Sequence, residues 1–314
     1  MKYAFYPGCS GEHRASAYQD SLELVADFLN LELSPIPDWN CCGATEYLSV
    51  NRLGAYALSA RNLALVPKGC DQVVTSCSAC YLNLKKTDKI LAENPDIAKD
   101  VNAALAEGNL SYSPGIYSIR HILEVFINDI GLDAIKGKVV SPLSGLRVAP
   151  FYGCMLVRPN NGYDHPEFPH TLDDILSALG AEVLTFSMKT HCCGGHMSQI
   201  KAITGYELLR RILGEAQGKG AGIIAVTCPA CQLNLDAYQD DVNKTFGTNF
   251  RIPVMFFTQL MGLAFGLDRA LLGLGKELIS AHEVLSFSKG LQPGNKIKKD
   301  KSKTALPASG AKKR

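Results

Sequence analysis

The chain has 314 residues, 46% of them hydrophobic and 20% charged, with a formal net charge of +2 and eleven cysteines. That length allows about two domains, each able to bury a core. No apolar run approaches the roughly 18 to 20 residues of a spanning helix, and Met1-Lys2-Tyr3-Ala4-Phe5-Tyr6-Pro7 lacks the apolar centre and cleavage site of a signal peptide, so a membrane span is excluded and a cytoplasmic location expected. Residues 288–314 carry nine Lys or Arg against Asp300 alone, leaving the remainder mildly acidic. This tail has almost no apolar content and is expected to be disordered; with no basic or aromatic surface beside it, nucleic acid is not an expected partner.

In chain order, Tyr3-Ala4-Phe5-Tyr6 reads as a strand ended by Pro7-Gly8, which places Cys9 where strand gives way to loop. From about residue 14 to 30, Leu22, Val25, Ala26 and Leu29 have helical spacing. Pro35 and Pro37 end that segment, and Cys41-Cys42-Gly43 follows in a loop where glycine leaves the backbone free to take a positive φ. A helix over about 46–66 precedes a strand at Gln72-Val73-Val74-Thr75, whose end delivers Cys77, with Cys80 in the first turn of the next helix. A helix start favours anions, thiolates included. A helix over about 117–130 closes the first unit.

After residues 132–146, read as a linker, the order restarts. A strand at 147–152 leads to Cys154, a helix at about 172–179 to a strand at 182–186, and Cys192-Cys193 to a helix at about 200–217. Gly222-Ile223-Ile224-Ala225-Val226 is a buried strand, and Pro229 falls at the first helical position after Cys228, before Cys231. The two halves match: 34 residues separate Cys42 from Cys77 and Cys193 from Cys228, while Thr75-Ser76-Cys77-Ser78-Ala79-Cys80-Tyr81-Leu82-Asn83-Leu84 answers Val226-Thr227-Cys228-Pro229-Ala230-Cys231-Gln232-Leu233-Asn234-Leu235. This is a tandem duplication of an α/β unit. The expected organisation is a first unit over 1–131, the linker, a second unit over 147–287 related to the first by a pseudo-twofold axis, and the tail. Ligands are expected at the C-terminal ends of the parallel strands.

Ten cysteines fall into these arrays, five per unit. In a reducing compartment such an array is more often a metal or cluster site than a disulfide framework. Structural zinc takes four ligands, as does a simple four-iron cubane, whereas five thiols recur in both units. The count favours iron–sulfur centres, with zinc and a metal-free thiol site as the alternatives.

The pattern C-x₃₁-C-C-x₃₄-C-x-x-C followed by C-x₃₇-C-C-x₃₄-C-x-x-C resembles the CCG signature of the B subunit of heterodisulfide reductases, in its two-copy form, over about residues 3 to 267. The resemblance implies two [4Fe–4S] clusters of the noncubane type, one held by Cys9, Cys41, Cys42, Cys77 and Cys80, the other by Cys154, Cys192, Cys193, Cys228 and Cys231. It further implies that the clusters face a shared pocket and divide a substrate disulfide, with a ferredoxin-like iron–sulfur subunit as electron donor and a flavin-bearing subunit behind it. It leaves the substrate open, since similar units act on the heterodisulfide of coenzymes M and B and occur in sulfur metabolism, thiol-linked fumarate reduction and lactate oxidation. A non-catalytic electron-relay subunit is the alternative reading. No G-x-G-x-x-G after a strand and no Walker sequence appears, so flavin and nucleotides are expected on other subunits.

His191 and His196 flank the second cysteine pair and are candidate proton donors to a departing thiolate. Arg158 and Lys201 are candidates for receiving an anionic group of the substrate, and the polar stretch from Pro159 to Pro166 is a candidate lining of its entrance. His121 reads as an ordinary helix residue, and Cys70, which has no counterpart in the second unit, as a small buried hydrophobe.

Overall fold

The computed structural model describes residues 1–10, 15–44, 46–158 and 163–287, so the basic tail and residues 159–162 of the polar loop lie outside the described residues. The chain builds two four-stranded parallel sheets. The first sets β1 (Lys2–Tyr6), β2 (Glu32–Pro35), β3 (Gln72–Thr75) and β4 (Ser118–His121) in the order β2-β1-β3-β4. The second repeats it with β5 (Arg147–Phe151), β6 (Glu182–Val183), β7 (Ile223–Val226) and β8 (Val254–Phe256) as β6-β5-β7-β8. Parallel neighbours require crossover connections, and helices supply them. In the first half these are α1 (Ser16–Phe28), α2 (Tyr47–Val50) with α3 (Arg52–Ala64), and α4 (Ser78–Glu93) with α5 (Pro95–Ala106). Next, α6 (Ile122–Val125) runs into a π turn at Phe126–Ile130, and α7 (Leu132–Gly137) leads into the second half. There the connections are α8 (Thr171–Ala178), α9 (Met197–Ile200) with α10 (Ala202–Gly218), and α11 (Pro229–Ala237) with α12 (Gln239–Phe246); α13 (Phe257–Ala264) and α14 (His282–Phe287) follow β8.

In each sheet the chain goes outward from the central strand to one edge, then returns to that strand's other side. The order therefore reverses between β1 and β3, and between β5 and β7, and a doubly wound sheet opens its crevice at such a reversal. Central strands bury both faces, which is why Val73-Val74 and Ile223-Ile224-Ala225-Val226 are continuous apolar runs.

Several sequence expectations need correction. The helix expected over 46–66 is two helices, broken at Asn51, whose backbone is extended and whose side chain accepts from Gly54 N at 2.8 Å to cap α3. The segment expected to be helical from residue 117 begins as β4, so His121 ends a strand and lies fully buried instead of sitting on a helix surface. The expected linker contains α7, and the strand at 182–186 shortens to two residues, although Leu184 N still bonds Val148 O at 2.9 Å.

One continuous body of buried side chains runs through both sheets. Its seam is aromatic: Tyr18 of α1 stacks on Phe256 with centroids 4.3 Å apart and planes 8° from parallel, while Phe126 meets Phe257 edge-on at 5.9 Å. Each such pair contributes about 0.5–1.5 kcal/mol beyond the area it buries. Ser21 Oγ and Thr258 Oγ1, buried 2.7 Å apart, satisfy each other across the same seam. The halves thus pack against each other along this seam.

Candidate functional site

Each crevice receives cysteines from three directions. Cys9 and Cys154 follow the central strands β1 and β5; Cys41-Cys42 and Cys192-Cys193 come from the loops before α2 and α9; Cys77 and Cys228 are the N-caps of α4 and α11, with Cys80 and Cys231 in their first turns. Gly8 and Gly153 show why the approach is glycine. Both have positive φ (72° and 68°), and a Cβ would stand 3.0 Å from Cys80 Sγ in one half and 2.9 Å from Cys231 Sγ in the other. Gly43 and Gly194 take positive φ after the paired cysteines, as expected from sequence.

The thiols form a row. Cys9 Sγ is 3.6 Å from Cys41 Sγ, Cys42 Sγ 3.5 Å from Cys80 Sγ, and Cys193 Sγ 3.4 Å from Cys231 Sγ. The neighbouring thiols Cys41 and Cys42, Cys77 and Cys80, Cys228 and Cys231, and Cys154 and Cys192 shift one another's protonation. Cys77 and Cys228, from different halves, perturb each other's thiols, Cys77 being raised and Cys228 lowered.

This donor set fits an iron–sulfur centre. Two thiolates on one tetrahedral metal, with metal–sulfur bonds of about 2.3 Å, stand about 3.7 Å apart, close to the observed spacings. An extended row suits a centre whose metal atoms are themselves spread out. Ser78 Oγ, of the residue after Cys77, is buried and has no hydrogen-bond partner among the described residues.

Fixed dipoles favour negative charge here. Hydrogen bonds from Cys42 and Cys9, aided by the Gly43 and Ala44 N–H groups, hold the Cys41 thiol down at about 2. Cys192 is lowered to about 6 by Cys154 and by Gly194 N–H, 3.3 Å from its sulfur. Their partners Cys9 and Cys154 are pushed up by the same shared protons. A metal replaces these protons, so loading releases them. Asn83 Nδ2 lies 3.4 Å from Cys42 Sγ and 3.3 Å from Cys42 O, and also bonds Ala44 O. Asn234 repeats the arrangement at 3.6 Å from Cys193 Sγ, 3.1 Å from Cys193 O and 2.7 Å from Gly195 O. Sequence reasoning assigned these asparagines no role, although the Asn repeated within Leu-Asn-Leu, three residues after each C-x-x-C, carried the signal.

The other candidates are placed as follows. His196 is half exposed and joins Nδ1 to Glu46 Oε1 at 2.7 Å, linking the start of α9 to the start of α2. His191 is exposed beside Cys192, and Lys201 is exposed ahead of α10. Arg158 is occupied within the protein: its Nη2 donates to Thr190 O at 2.9 Å and Thr190 Oγ1 at 2.6 Å, and its Nε to Pro166 O at 3.1 Å. It braces the loop that carries Cys192-Cys193, and the anion-receiving role expected of it is not supported by this geometry. Cys70 is half-buried and outside the row. His121, fully buried, bonds Ser76 O through Nε2 at 3.1 Å, and burial lowers its imidazole to about 4, which keeps it neutral.

Two parallel sheets of one strand order, each collecting five thiols at its crevice, define a duplicated cysteine-rich redox protein of the iron–sulfur kind. Residues 3–85 and 148–236 match the family described as CCG, cysteine-rich domain, and the chain belongs to that family in its two-copy form. It is 36% identical to the 8-methylmenaquinol:fumarate reductase membrane anchor subunit of Wolinella succinogenes, over 89% of this chain and 98% of that protein. It is 30% identical to the B subunit of the ferredoxin/F420H2-dependent CoB-CoM heterodisulfide reductase of Methanosarcina acetivorans, over 91% and 96%. The same identity, over 85% and 92%, relates it to a protein of Archaeoglobus profundus described as like the B subunit of heterodisulfide reductase. A solved structure of a hypothetical protein from Helicobacter pylori superposes with a TM-score of 0.71 at 16% identity, a likeness of fold alone; it covers 89% of this chain, which spans about half (52%) of that one. Among the described residues no helix is long and apolar enough to cross a membrane.

Proposed function

We propose that this chain is the disulfide-reducing subunit of a heterodisulfide reductase-like complex. Cys9, Cys41, Cys42, Cys77 and Cys80 would hold one noncubane [4Fe–4S] cluster, and Cys154, Cys192, Cys193, Cys228 and Cys231 the other. The observation that carries this reading is the repetition of one five-cysteine set at the same place in both halves, with Cys42 Sγ 3.5 Å from Cys80 Sγ in one and Cys193 Sγ 3.4 Å from Cys231 Sγ in the other. When bound, two such clusters supply one electron to each sulfur of a disulfide, giving two thiols for two electrons and two protons. The chain's own residues keep Cys42, Cys77, Cys80, Cys193, Cys228 and Cys231 away from water and leave Cys9, Cys41 and Cys192 at the surface, where a substrate would arrive. His191 and His196, which flank the Cys192-Cys193 pair, would pass protons to the departing sulfurs. With ten thiols engaged as ligands, only Cys70 remains, and it has no partner thiol for exchange chemistry. A ferredoxin-like subunit would bring electrons, with a flavin-bearing subunit behind it, on the cytoplasmic side.

A second reading, a relay subunit that passes electrons without cleaving a disulfide, is favoured by the 36% likeness to a subunit of a quinol:fumarate reductase. The two separate under single turnover. Iron-loaded protein, reduced anaerobically and mixed with a disulfide, should release two thiols per two electrons; oxidation by a quinone, with no thiol formed from any disulfide offered, would favour the relay.

A further inference from the structure

We propose that Glu46, held on His196, is a negative charge shared by the mouths of both cysteine arrays, and that it selects against anionic substrates. The two residues are 150 positions apart, yet Glu46 Oε1 and His196 Nδ1 stand 2.7 Å from each other. They also match in the repeat: Glu46 is the N-cap of α2 and His196 the N-cap of α9, the short helices that follow Cys41-Cys42 and Cys192-Cys193. A contact between matching residues of the two halves means that the two cysteine loops meet there. The side chains are 44% and 45% exposed, so the meeting point is at the surface.

Both loops are pinned just before this contact. The residue two after the second cysteine, Ala44 or Gly195, has left-handed backbone (φ 49° and 52°), and its carbonyl accepts from Asn83 or Asn234, the same asparagine that reaches the cysteine sulfur. Glu46 comes two residues after Ala44, and His196 follows Gly195 directly. In the second half the path back to a thiol is short. Gly194 N lies 3.3 Å from Cys192 Sγ, and Gly194 O accepts from Met197 N at 2.8 Å, closing a turn that contains His196. Cys41 and Cys192, the exposed first members of the two pairs, precede Glu46 and His196 by five and four residues.

A surface pair of this kind contributes only about 0–1 kcal/mol to stability, so joining the halves is a small part of what it can do. Its field reaches further, since charges act on one another in 0.1 M salt over roughly 10 Å. One carboxylate between the loops therefore repels an anion, and attracts a cation, that approaches either exposed thiol. For the substrate this rests on the reading that the arrays divide one disulfide between them: a disulfide with cationic arms is then favoured over one with anionic arms.

The first test needs no metal. Reduced, iron-free protein is labelled with an anionic reagent, sulfonatoethyl methanethiosulfonate, or a cationic one, trimethylammonioethyl methanethiosulfonate, and initial rates at each cysteine are read by peptide mass spectrometry. Taking the anionic-to-cationic ratio cancels any change in how far a thiol is ionised. Glu46→Gln removes the charge and keeps an oxygen for His196 to bond, whereas Glu46→Asp keeps the charge. In the Gln variant the ratio should rise about threefold or more at both Cys41 and Cys192, and stay within about 1.5-fold at Cys70, at low ionic strength. Cys70 serves as the reference because it precedes β3, at the opposite end of that strand from Cys77. The Asp variant should stay near wild type. An unchanged ratio in Glu46→Gln, or a rise at Cys41 with none at Cys192, would overturn the proposal, because the carboxylate would then not stand between the loops. In iron-loaded protein, kcat/KM for cystamine, a dication, relative to dithiodipropionate, a dianion, should fall about threefold or more in Glu46→Gln, with the change in KM. A wild-type preference there would overturn the selection against anions. Protein that cuts no disulfide yet shows the labelling shift would defeat the reductase reading and leave Glu46 in its place between the two thiols.

Discussion

Asn83 and Asn234 occupy the same position in the two halves, each donating its side-chain N–H to the sulfur of the second cysteine in a CCG pair, at 3.4 Å on Cys42 and 3.6 Å on Cys193. Each also bonds that cysteine's carbonyl and a carbonyl two residues further on. A donor aimed at a ligand sulfur stabilises the more negative, reduced state and raises the potential of the centre it touches. Asn83→Leu should lower the potential of one centre and Asn234→Leu that of the other, each with iron content retained. Because two carbonyls, at least partly buried, lose their donor, each change should also cost about 1 kcal/mol of stability. Redox titration followed by electron paramagnetic resonance, with denaturant unfolding alongside, checks both.

The buried neutral state of His121 gives the protein an acid-sensitive step. Its folded value, about 4, lies below the ordinary histidine value near 6.5, so the unfolded chain binds the proton more readily. The resulting contribution is fully present above pH 6.5 and is lost as pH falls through the window from about 6.5 to 4; it amounts to about 3 kcal/mol. Urea unfolding of reduced, iron-free protein at pH 7 and pH 4.5 should show a steeper loss in the wild type than in His121→Gln, which has no proton to bind. Equal losses in the two proteins would remove His121 as the cause.

The arrays were legible because cysteine spacing survives duplication, and so were the strands built as apolar runs, β1, β3, β5 and β7. Of the edge strands only β6 was, and β2, β4 and β8 were not. Ser118-Ile119-Arg120-His121 looks like a polar helical turn, and only the folded chain supplies what makes it a strand: Arg120 reaches Asp129 at 2.6 and 2.9 Å, Glu124 at 3.0 Å and Gln72 at 2.9 Å. Likewise Glu32–Pro35 contains a proline, which an edge strand tolerates and a central one does not. The sequence showed two sets of five thiols but not how the halves that carry them pack, which depends on the aromatic seam of Tyr18 on Phe256 and on the Ser21–Thr258 bond. Nor could it show that Arg158 is held by Thr190 and Pro166, residues 32 and 8 positions away.

Each array is delivered by its own sheet, so a cysteine lost from one should leave the other able to assemble. Cys42→Ala and Cys193→Ala should each remove or convert a single centre and abolish disulfide reduction, while Cys70→Ala retains most of it. Iron analysis and the resonance spectrum of each variant report the first result, and thiol release the second. A substrate trapped as a mixed disulfide on Cys70, with Cys70→Ala inactive, would show that thiol exchange and not the paired centres breaks the bond.

The central claim is that two iron–sulfur centres, side by side, act on one disulfide. The most direct measurement is iron, labile sulfide and spin-resonance analysis of anaerobically prepared protein before and after a candidate disulfide is added. About eight iron and eight sulfide per chain are expected, with a resonance signal that changes on adding the disulfide and two thiols formed for every two electrons withdrawn. Stoichiometric zinc without sulfide, or two intact centres whose spectrum no disulfide alters, would contradict it.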